Sequence, residues 1–329
     1  MVRFGVIGTN WITERFLDAA DKVQDFALTA VYSRTEEKAR EFADKYGVKH
    51  TYTSLEEMAA SSEIDAVYIA SPNSLHAEQS ILMMEHGKHV LCEKPAASNA
   101  AELKLMIEAS QRNKVVLMEA LKSTLMPNFK AVQENLGKIG PVRRYFASYC
   151  QYSSRYDAYK EGTILNAFKP EFSNGALMDI GIYCIYPLVV LFGKPDEAKA
   201  QGVMLDSGVD GEGSIVLKYK EMDAVIMYSK ITDSQLPAEI QGENGNIVID
   251  KIHTPESAEI RYRGGGSESI TREQKEASMY YEAEEFVGLV KSGKLESATN
   301  TLSNSLAVME ILDSVRSQLG IVYPADKKA

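Results

Sequence analysis

Val2-Arg3-Phe4-Gly5-Val6-Ile7-Gly8-Thr9-Asn10-Trp11-Ile12-Thr13 opens the chain and decides how the first third is read. A short apolar run ends at a glycine, and helix-compatible sequence follows at once. That is the layout of a first strand, a tight turn and a first helix, whose N–H groups can receive a pyrophosphate. Set against the dinucleotide pattern G-x-G-x-x-G, Gly8 fills the first position, Asn10 the second and Thr13 the third. Asn tolerates a left-handed backbone better than most residues, so the turn can survive the replacement. Thr9, Trp11 and Ile12 complete the candidate phosphate loop. Two readings stand at this point: a dinucleotide cradle, or an ordinary strand–helix turn.

Outward from this loop the pattern repeats. Apolar runs fall at 3–8, 28–33, 66–70, 89–92 and 115–118, with helical spacing over 35–46, 54–61, 75–86 and 100–113. Short apolar strands separated by amphipathic helices predict an α/β, doubly wound parallel sheet, a Rossmann-like dinucleotide-binding domain over 1–122. Beyond Leu121 the signals change. Strands are expected over 141–152, 214–220, 224–230 and 246–250, with a hairpin turn at 220–223. Helices are expected over 176–191, 280–291 and 303–319, and Gly264-Gly265-Gly266 reads as a loop tip. This predicts an α+β domain over 123–329, with a large, mostly antiparallel sheet, for substrate binding and dimerisation.

Composition narrows the partners. Across 329 residues, 45% hydrophobic and 25% charged content is ordinary for a globular protein. A formal net charge of −10 without a long Lys/Arg run argues against nucleic acid. Cys92, Cys150 and Cys184 are dispersed and form no CxxC pair, so a reducing cytoplasm is expected rather than a disulfide framework or zinc site. No His/Asp/Glu cluster has metal-ligand spacing, and no metal is expected. No signal peptide is evident, and no apolar run nears the roughly 18 residues that span a bilayer, so no membrane partner is expected.

The end of the second strand bears on the cofactor. It runs Val31-Tyr32-Ser33-Arg34-Thr35, without the carboxylate that usually bonds the ribose 2′-hydroxyl in NAD sites. Ser33 and the forked donors of Arg34 suit a 2′-phosphate, and Lys38 lies one helical turn on. The residues favour NADP and leave NAD possible. The competing reading is a solvated first turn capped by Ser33 or Thr35. Two further turns follow apolar strands, Ala70-Ser71-Pro72-Asn73 with His76 beyond it, and Leu91-Cys92-Glu93-Lys94-Pro95. Both fall at the carboxyl edge of the sheet, where ligands bind. Gly175 opens a helix carrying Asp179 and Tyr183, spaced i, i+4 and therefore on one face.

In this order and spacing, the Gly8 turn, Glu93-Lys94-Pro95 and Gly175…Asp179…Tyr183 resemble the Gfo/Idh/MocA oxidoreductases, the superfamily of glucose-fructose oxidoreductase and inositol dehydrogenase. The likeness covers nearly the whole chain, including 305–313 near its end. Tyr183, where many members have His, resembles the branch of dimeric dihydrodiol dehydrogenases and xylose dehydrogenases. The resemblance implies an NAD(P)-dependent oxidoreductase acting on the CH–OH group of a sugar, polyol or dihydrodiol, assembled as a homodimer or higher homo-oligomer. It implies that Lys94 lies by the nicotinamide, that Tyr183 donates or accepts the proton, and that Asp179 binds substrate hydroxyls and tunes Lys94. Ser71, Pro72, Asn73, His76 and Glu93 are implied near the cofactor, with the peptide before Pro95 cis.

The chemistry is coherent. A phenol titrates near pH ~10 and is a poor base at neutral pH unless an ammonium stabilises its anion. Competing readings remain for single residues: Asp179 as a helix cap, Tyr183 as a half-buried core residue, His76 as helix-face packing, and Trp11 as packing rather than a site wall. Tyr152, Arg155, Tyr156 and Asn166 are plausible pocket members. At the level of function, the alternatives are a reductase of another small carbonyl and a catalytically silent cofactor sensor.

Overall fold

Residues 1–327 are described here by a computed structural model. Each apolar run of the first third becomes a strand, and each amphipathic segment a helix. In chain order the elements are β1 (Val2–Ile7), α1 (Trp11–Ala20), β2 (Phe26–Tyr32), α2 (Glu36–Tyr46), β3 (His50–Tyr52), α3 (Leu55–Ala60), β4 (Ala66–Ile69), α4 (His76–Glu85), β5 (His89–Glu93), α5 (Ala100–Asn113) and β6 (Leu117–Ala120), of which the short β3 matches no expected apolar run. The strands form one parallel sheet in the order β3-β2-β1-β4-β5-β6. β4 is buried at every position, as expected for a strand covered on both faces. The order reverses between β1 and β4, which opens a crevice at their carboxyl ends.

The chain continues through α6 (Pro127–Asn135), β7 (Val142–Cys150), α7 (Ser154–Lys160), a π-helical turn (Leu177–Gly181) and α8 (Ile182–Phe192). Then come β8 (Glu197–Met204), β9 (Asp210–Lys218), β10 (Asp223–Ser229), β11 (Ala238–Gly242), β12 (Gly245–Ile249), β13 (Ala258–Tyr262), β14 (Ser267–Ser269), α9 (Tyr280–Ser292) and α10 (Leu302–Leu319). The eight later strands form a second sheet, ordered β14-β13-β12-β11-β7-β10-β9-β8. Every neighbouring pair is antiparallel except β7 with β10.

The register of this second sheet shows how alternation sorts its two faces. Leu217, Ala224, Tyr145, Ile240, Ile247 and Ile260 align across β9, β10, β7, β11, β12 and β13. All six are buried. α8 packs on this face, and the Tyr145 hydroxyl donates to the Cys184 carbonyl at 3.0 Å. The neighbouring row, Val216, Val225, Phe146, Glu239 and Val248, lies on the other face and stays at least partly exposed. The expected β9–β10 hairpin is present, closed by the Tyr219 N–H donating to the Met222 carbonyl at 3.0 Å. Gly265 and Gly266 turn the β13–β14 hairpin with φ of 95° and 83°, a region that favours glycine.

The structure departs from the sequence reading in its division into units and in one long apolar helical stretch. The chain divides into two compact units, with a break after Leu121, but Glu276–Ser303 rejoin the first unit. α9 therefore belongs with the parallel sheet. Its buried Phe286 lies 5.6 Å from Phe4 of β1, ring centre to ring centre. A single boundary near 122 misses this, because an amphipathic pattern shows that a face is apolar and not what it packs on. The second departure is a helical stretch, Pro170–Phe192, long and apolar enough to cross a bilayer by length and composition. Most of it is buried inside the second unit, where α8 is enclosed on nearly all sides.

Candidate active site

In the first unit the candidate groups gather at the carboxyl ends of β1, β2, β4 and β5. Gly8 has φ +108°, and a Cβ there would stand 2.7 Å from the Ala70 carbonyl oxygen, so the turn admits only glycine. Asn10 is extended (φ −105°, ψ 175°) rather than left-handed, which corrects the reason for its presence. It caps α1: its Oδ1 accepts from the Ile12 and Thr13 N–H groups at 3.0 and 3.3 Å. Its Nδ2 donates to the Ala70 carbonyl at 2.7 Å, tying the β1 turn to the end of β4 across the crevice. Thr13 is fully buried, and its hydroxyl donates to the Gly8 carbonyl at 2.8 Å, so its extra size is accommodated. Trp11 is 54% exposed, with the Arg15 guanidinium 5.7 Å from its ring, and is not a core residue.

At the end of β2, Ser33 is buried and its N–H donates to the Tyr52 carbonyl at 3.1 Å. Thr35 takes the N-cap position of α2 without a side-chain bond, so Ser33 is not the cap. Arg34 and Lys38 are exposed, and among the described residues neither forms an ion pair. Arg40, by contrast, is bonded to Glu36 at 2.7 Å. Two cations without internal partners beside a buried serine fit a phosphate group.

The turns after β4 and β5 are joined by His76, which is 1% exposed. Its Nδ1 lies 2.9 Å from the Pro95 carbonyl and its Nε2 2.8 Å from the Ser71 carbonyl. Burial lowers its pKa, while the two carbonyls pull the other way. The Ser71 hydroxyl donates to Gln79 at 2.7 Å, and Pro72 and Asn73 lead through a short 3₁₀ turn into α4. Glu93 is buried under the next turn. Its carboxylate accepts from the Tyr68 hydroxyl at 2.5 Å and from the Lys94 N–H at 3.2 Å. Lys94 is half-buried, and its peptide bond to Pro95 is cis.

In the second unit Gly175 has φ +145°, and a Cβ there would meet Asp210 Oδ1 at 2.3 Å. Asp210 is fully buried and accepts from the Leu177 N–H at 2.8 Å, so its carboxylate anchors the start of the π-helical turn. Burial pushes its carboxyl up to about 6. Asp179 sits in that turn and accepts from the Lys230 ammonium at 2.5 Å. Tyr183 lies in the first turn of α8, half-buried. Its ring meets Tyr149 edge-on at 5.8 Å and His253 at 6.4 Å, and Tyr149 stacks on His253 at 3.9 Å. Burial, with Lys122 and Lys251 nearby, lowers the His253 imidazole to about 4. Pro187 lacks the N–H that would bond the Tyr183 carbonyl one turn back, so regular helix bonding is interrupted on both sides of Tyr183.

Residues 2–121 match the oxidoreductase family GFO/IDH/MocA with an NAD-binding Rossmann fold, and residues 131–248 match its C-terminal domain. The scyllo-inositol 2-dehydrogenase (NADP(+)) IolU of Bacillus subtilis (strain 168) is 61% identical over 327 residues, 99% of this chain and 100% of that one. The chain belongs to the Gfo/Idh/MocA oxidoreductase family. A trans-1,2-dihydrobenzene-1,2-diol dehydrogenase of Xenopus laevis is 30% identical, with 98% and 99% of the two chains covered. Among solved structures, the aldose-aldose oxidoreductase of Caulobacter crescentus has the same fold at 20% identity, with a TM-score of 0.86 over 96% of this chain and 97% of that one.

Within this Gfo/Idh/MocA oxidoreductase the sequence reading missed Lys230, Asp210 and His253. Lys230 left a trace: Ala224, Ile226, Tyr228 and Lys230 alternate along one strand, so a lysine falls in line with a buried face. Asp210 lies ahead of the run recognised as strand, and His253 lies in no motif. Of the other suggested pocket members, Tyr156 packs on Phe168 at 5.9 Å, the Tyr152 hydroxyl donates to Asp157 at 2.8 Å, and Arg155 and Asn166 are exposed.

Proposed function

We propose that this oxidoreductase is an NADP(H)-dependent polyol dehydrogenase acting on a ring hydroxyl of an inositol-class substrate. The reading rests on full-length 61% identity to a scyllo-inositol 2-dehydrogenase (NADP(+)). It is supported by a carboxylate and a phenol, Asp179 and Tyr183, held on one short helical stretch. Gly8, Thr9, Asn10, Trp11 and Ile12 receive the pyrophosphate, and Ser33, Arg34 and Lys38 the 2′-phosphate. Ser71, Pro72, Asn73, His76, Glu93 and Lys94 shape the nicotinamide end. NADP, when bound, supplies the hydride acceptor.

The remaining chemistry belongs to the chain. Tyr183 takes the hydroxyl proton, and the Lys94 ammonium stabilises the phenolate. Asp179 accepts hydrogen bonds from the hydroxyls beside the reacting carbon, a role suited to a polyol. The protein works in the cytoplasm as a homodimer or larger assembly, a reading supported by three free thiols and by Val216, Val225 and Phe146 on the open sheet face.

The test is a panel of inositols, sugars, small carbonyls and a trans-dihydrodiol, followed by absorbance of the reduced cofactor with NADP and NAD in parallel. Faster turnover of an inositol with NADP than with NAD is expected. Turnover of the dihydrodiol alone would move the substrate to that class, and silence on the whole panel would favour a cofactor sensor.

A further inference from the structure

We propose that Lys230 is a positioning residue for the reaction: its buried ammonium keeps the Asp179 carboxylate ionised and fixed as an acceptor for substrate hydroxyls. This rests on the reading of Asp179 given above. The Lys230 side chain is 4% exposed, against 33% for Asp179. A lysine is almost never so deeply buried unless paired. Among the described residues its only ion-pair partner is Asp179, at 2.5 Å. The ammonium also lies 5.1 Å from the centre of the Phe168 ring. Its backbone is fixed on both sides: its N–H donates to the Gly211 carbonyl at 2.8 Å, and its carbonyl accepts from the Ser153 N–H at 2.9 Å. These bonds hold the Lys230 backbone in place beside the end of β10.

A purely structural need is met more cheaply by an apolar side chain, because a buried ion pair often gains nothing over one of similar volume. A buried cation against a carboxylate of the site points instead to control of that carboxylate. The elements packed on the π-helical turn bring Tyr228 from β10 with Lys230 just beyond its end, Asp210 and Glu212 from β9, Tyr149 and Cys150 from β7, and Tyr183 from α8. The other cations of these strands, Lys218, Arg143 and Arg144, lie at the opposite end, level with or beyond Asp223. Lys230 is thus a cation that offsets Asp179 from within the second unit. Without it, the carboxyl group takes up a proton more readily and turns from acceptor into donor.

The experiment compares Lys230→Met and Lys230→Arg with the wild type. In the Met variant kcat/KM for the polyol falls by about tenfold to a hundredfold, the worth of a charge-assisted hydrogen bond. Its acid limb moves up by about one pH unit or more, while the Kd for NADPH is unchanged. Arg restores the acid limb. Carbon-13 NMR of the Asp179 carboxyl, assigned with Asp179→Asn, reads the same shift without substrate, and an Asp210→Asn background removes the other buried carboxyl that titrates nearby. An unmoved Asp179 titration in a folded Met variant overturns the proposal. So does an Arg variant that titrates like Met. Failure of the wild type on every polyol overturns the functional reading instead, and leaves the NMR test of Lys230 intact.

Discussion

Two side chains carry the most direct tests. Lys94→Ala is expected to lower kcat by about 100- to 10,000-fold, the range for losing a group that assists proton transfer. NADPH binding, followed by fluorescence titration, stays near the wild-type value, and a kcat within a factor of two of wild type removes Lys94 from the chemistry. Arg34→Ala is expected to raise KM for NADP about tenfold or more, as a charge-assisted hydrogen bond is lost, while KM for NAD changes little. Equal effects on both cofactors mean that Arg34 does not read the 2′-phosphate. Gly8, Lys94, Asp179 and Tyr183 could be singled out because each falls in a motif next to a strand or helix end. The role of Asn10 could not. Its contact with the Ala70 carbonyl joins residues sixty positions apart, and only the folded sheet brings them together.

At the scale of the element, the π-helical turn before α8 predicts how stability follows pH. The Asp210 carboxyl titrates at about 6 in the folded chain, against an ordinary 3.8. As pH rises from 4 to 6, the unfolded chain has released a proton that the folded chain keeps, so folding loses up to about 3 kcal/mol. His253 works in the opposite direction, titrating at about 4 against an ordinary 6.5. As pH falls from 6.5 to 4, the unfolded chain gains a proton that the folded chain refuses, and stability drops. The two slopes offset one another in the wild type. In Asp210→Asn the slope that offsets the histidine is gone, so its Tm declines more steeply than wild type on acidification. Calorimetry across this range checks it, and parallel curves would show that Asp210 is ionised at no cost. Neither slope was legible in the sequence. The helix over 176–191 was readable from its apolar spacing, but its π-helical start depends on a carboxylate supplied by β9. Strands β11 and β13 escaped for a related reason: they are short, and polar or charged residues on their outer positions blur the alternation, while the edge strands β8 and β14 bury no residue fully.

For the whole molecule, the open face of the eight-stranded sheet is the feature still to be accounted for. Val216 is 51% exposed and aligns with Val225 and Phe146 across three adjacent strands. Light scattering is expected to report a dimer or larger assembly, and Val216→Arg to shift the mass toward the monomer. A monomeric wild type at micromolar concentration would leave this face without a self-partner. The sequence conveyed the two-part plan because strand and helix signals alternate in the first third and not afterwards.

The return of residues 276–303 to the first unit sets the order of events at the ribosome. A nascent chain that has emerged only as far as Leu121 has every strand of the parallel sheet and none of α9. Phe4 then waits for Phe286, encoded far downstream, to cover its ring. The nucleotide half is therefore completed only after residues 122–275 of the second unit have been made, although its gene segment is read first, and a fragment cut at the apparent border is left with an open apolar seam.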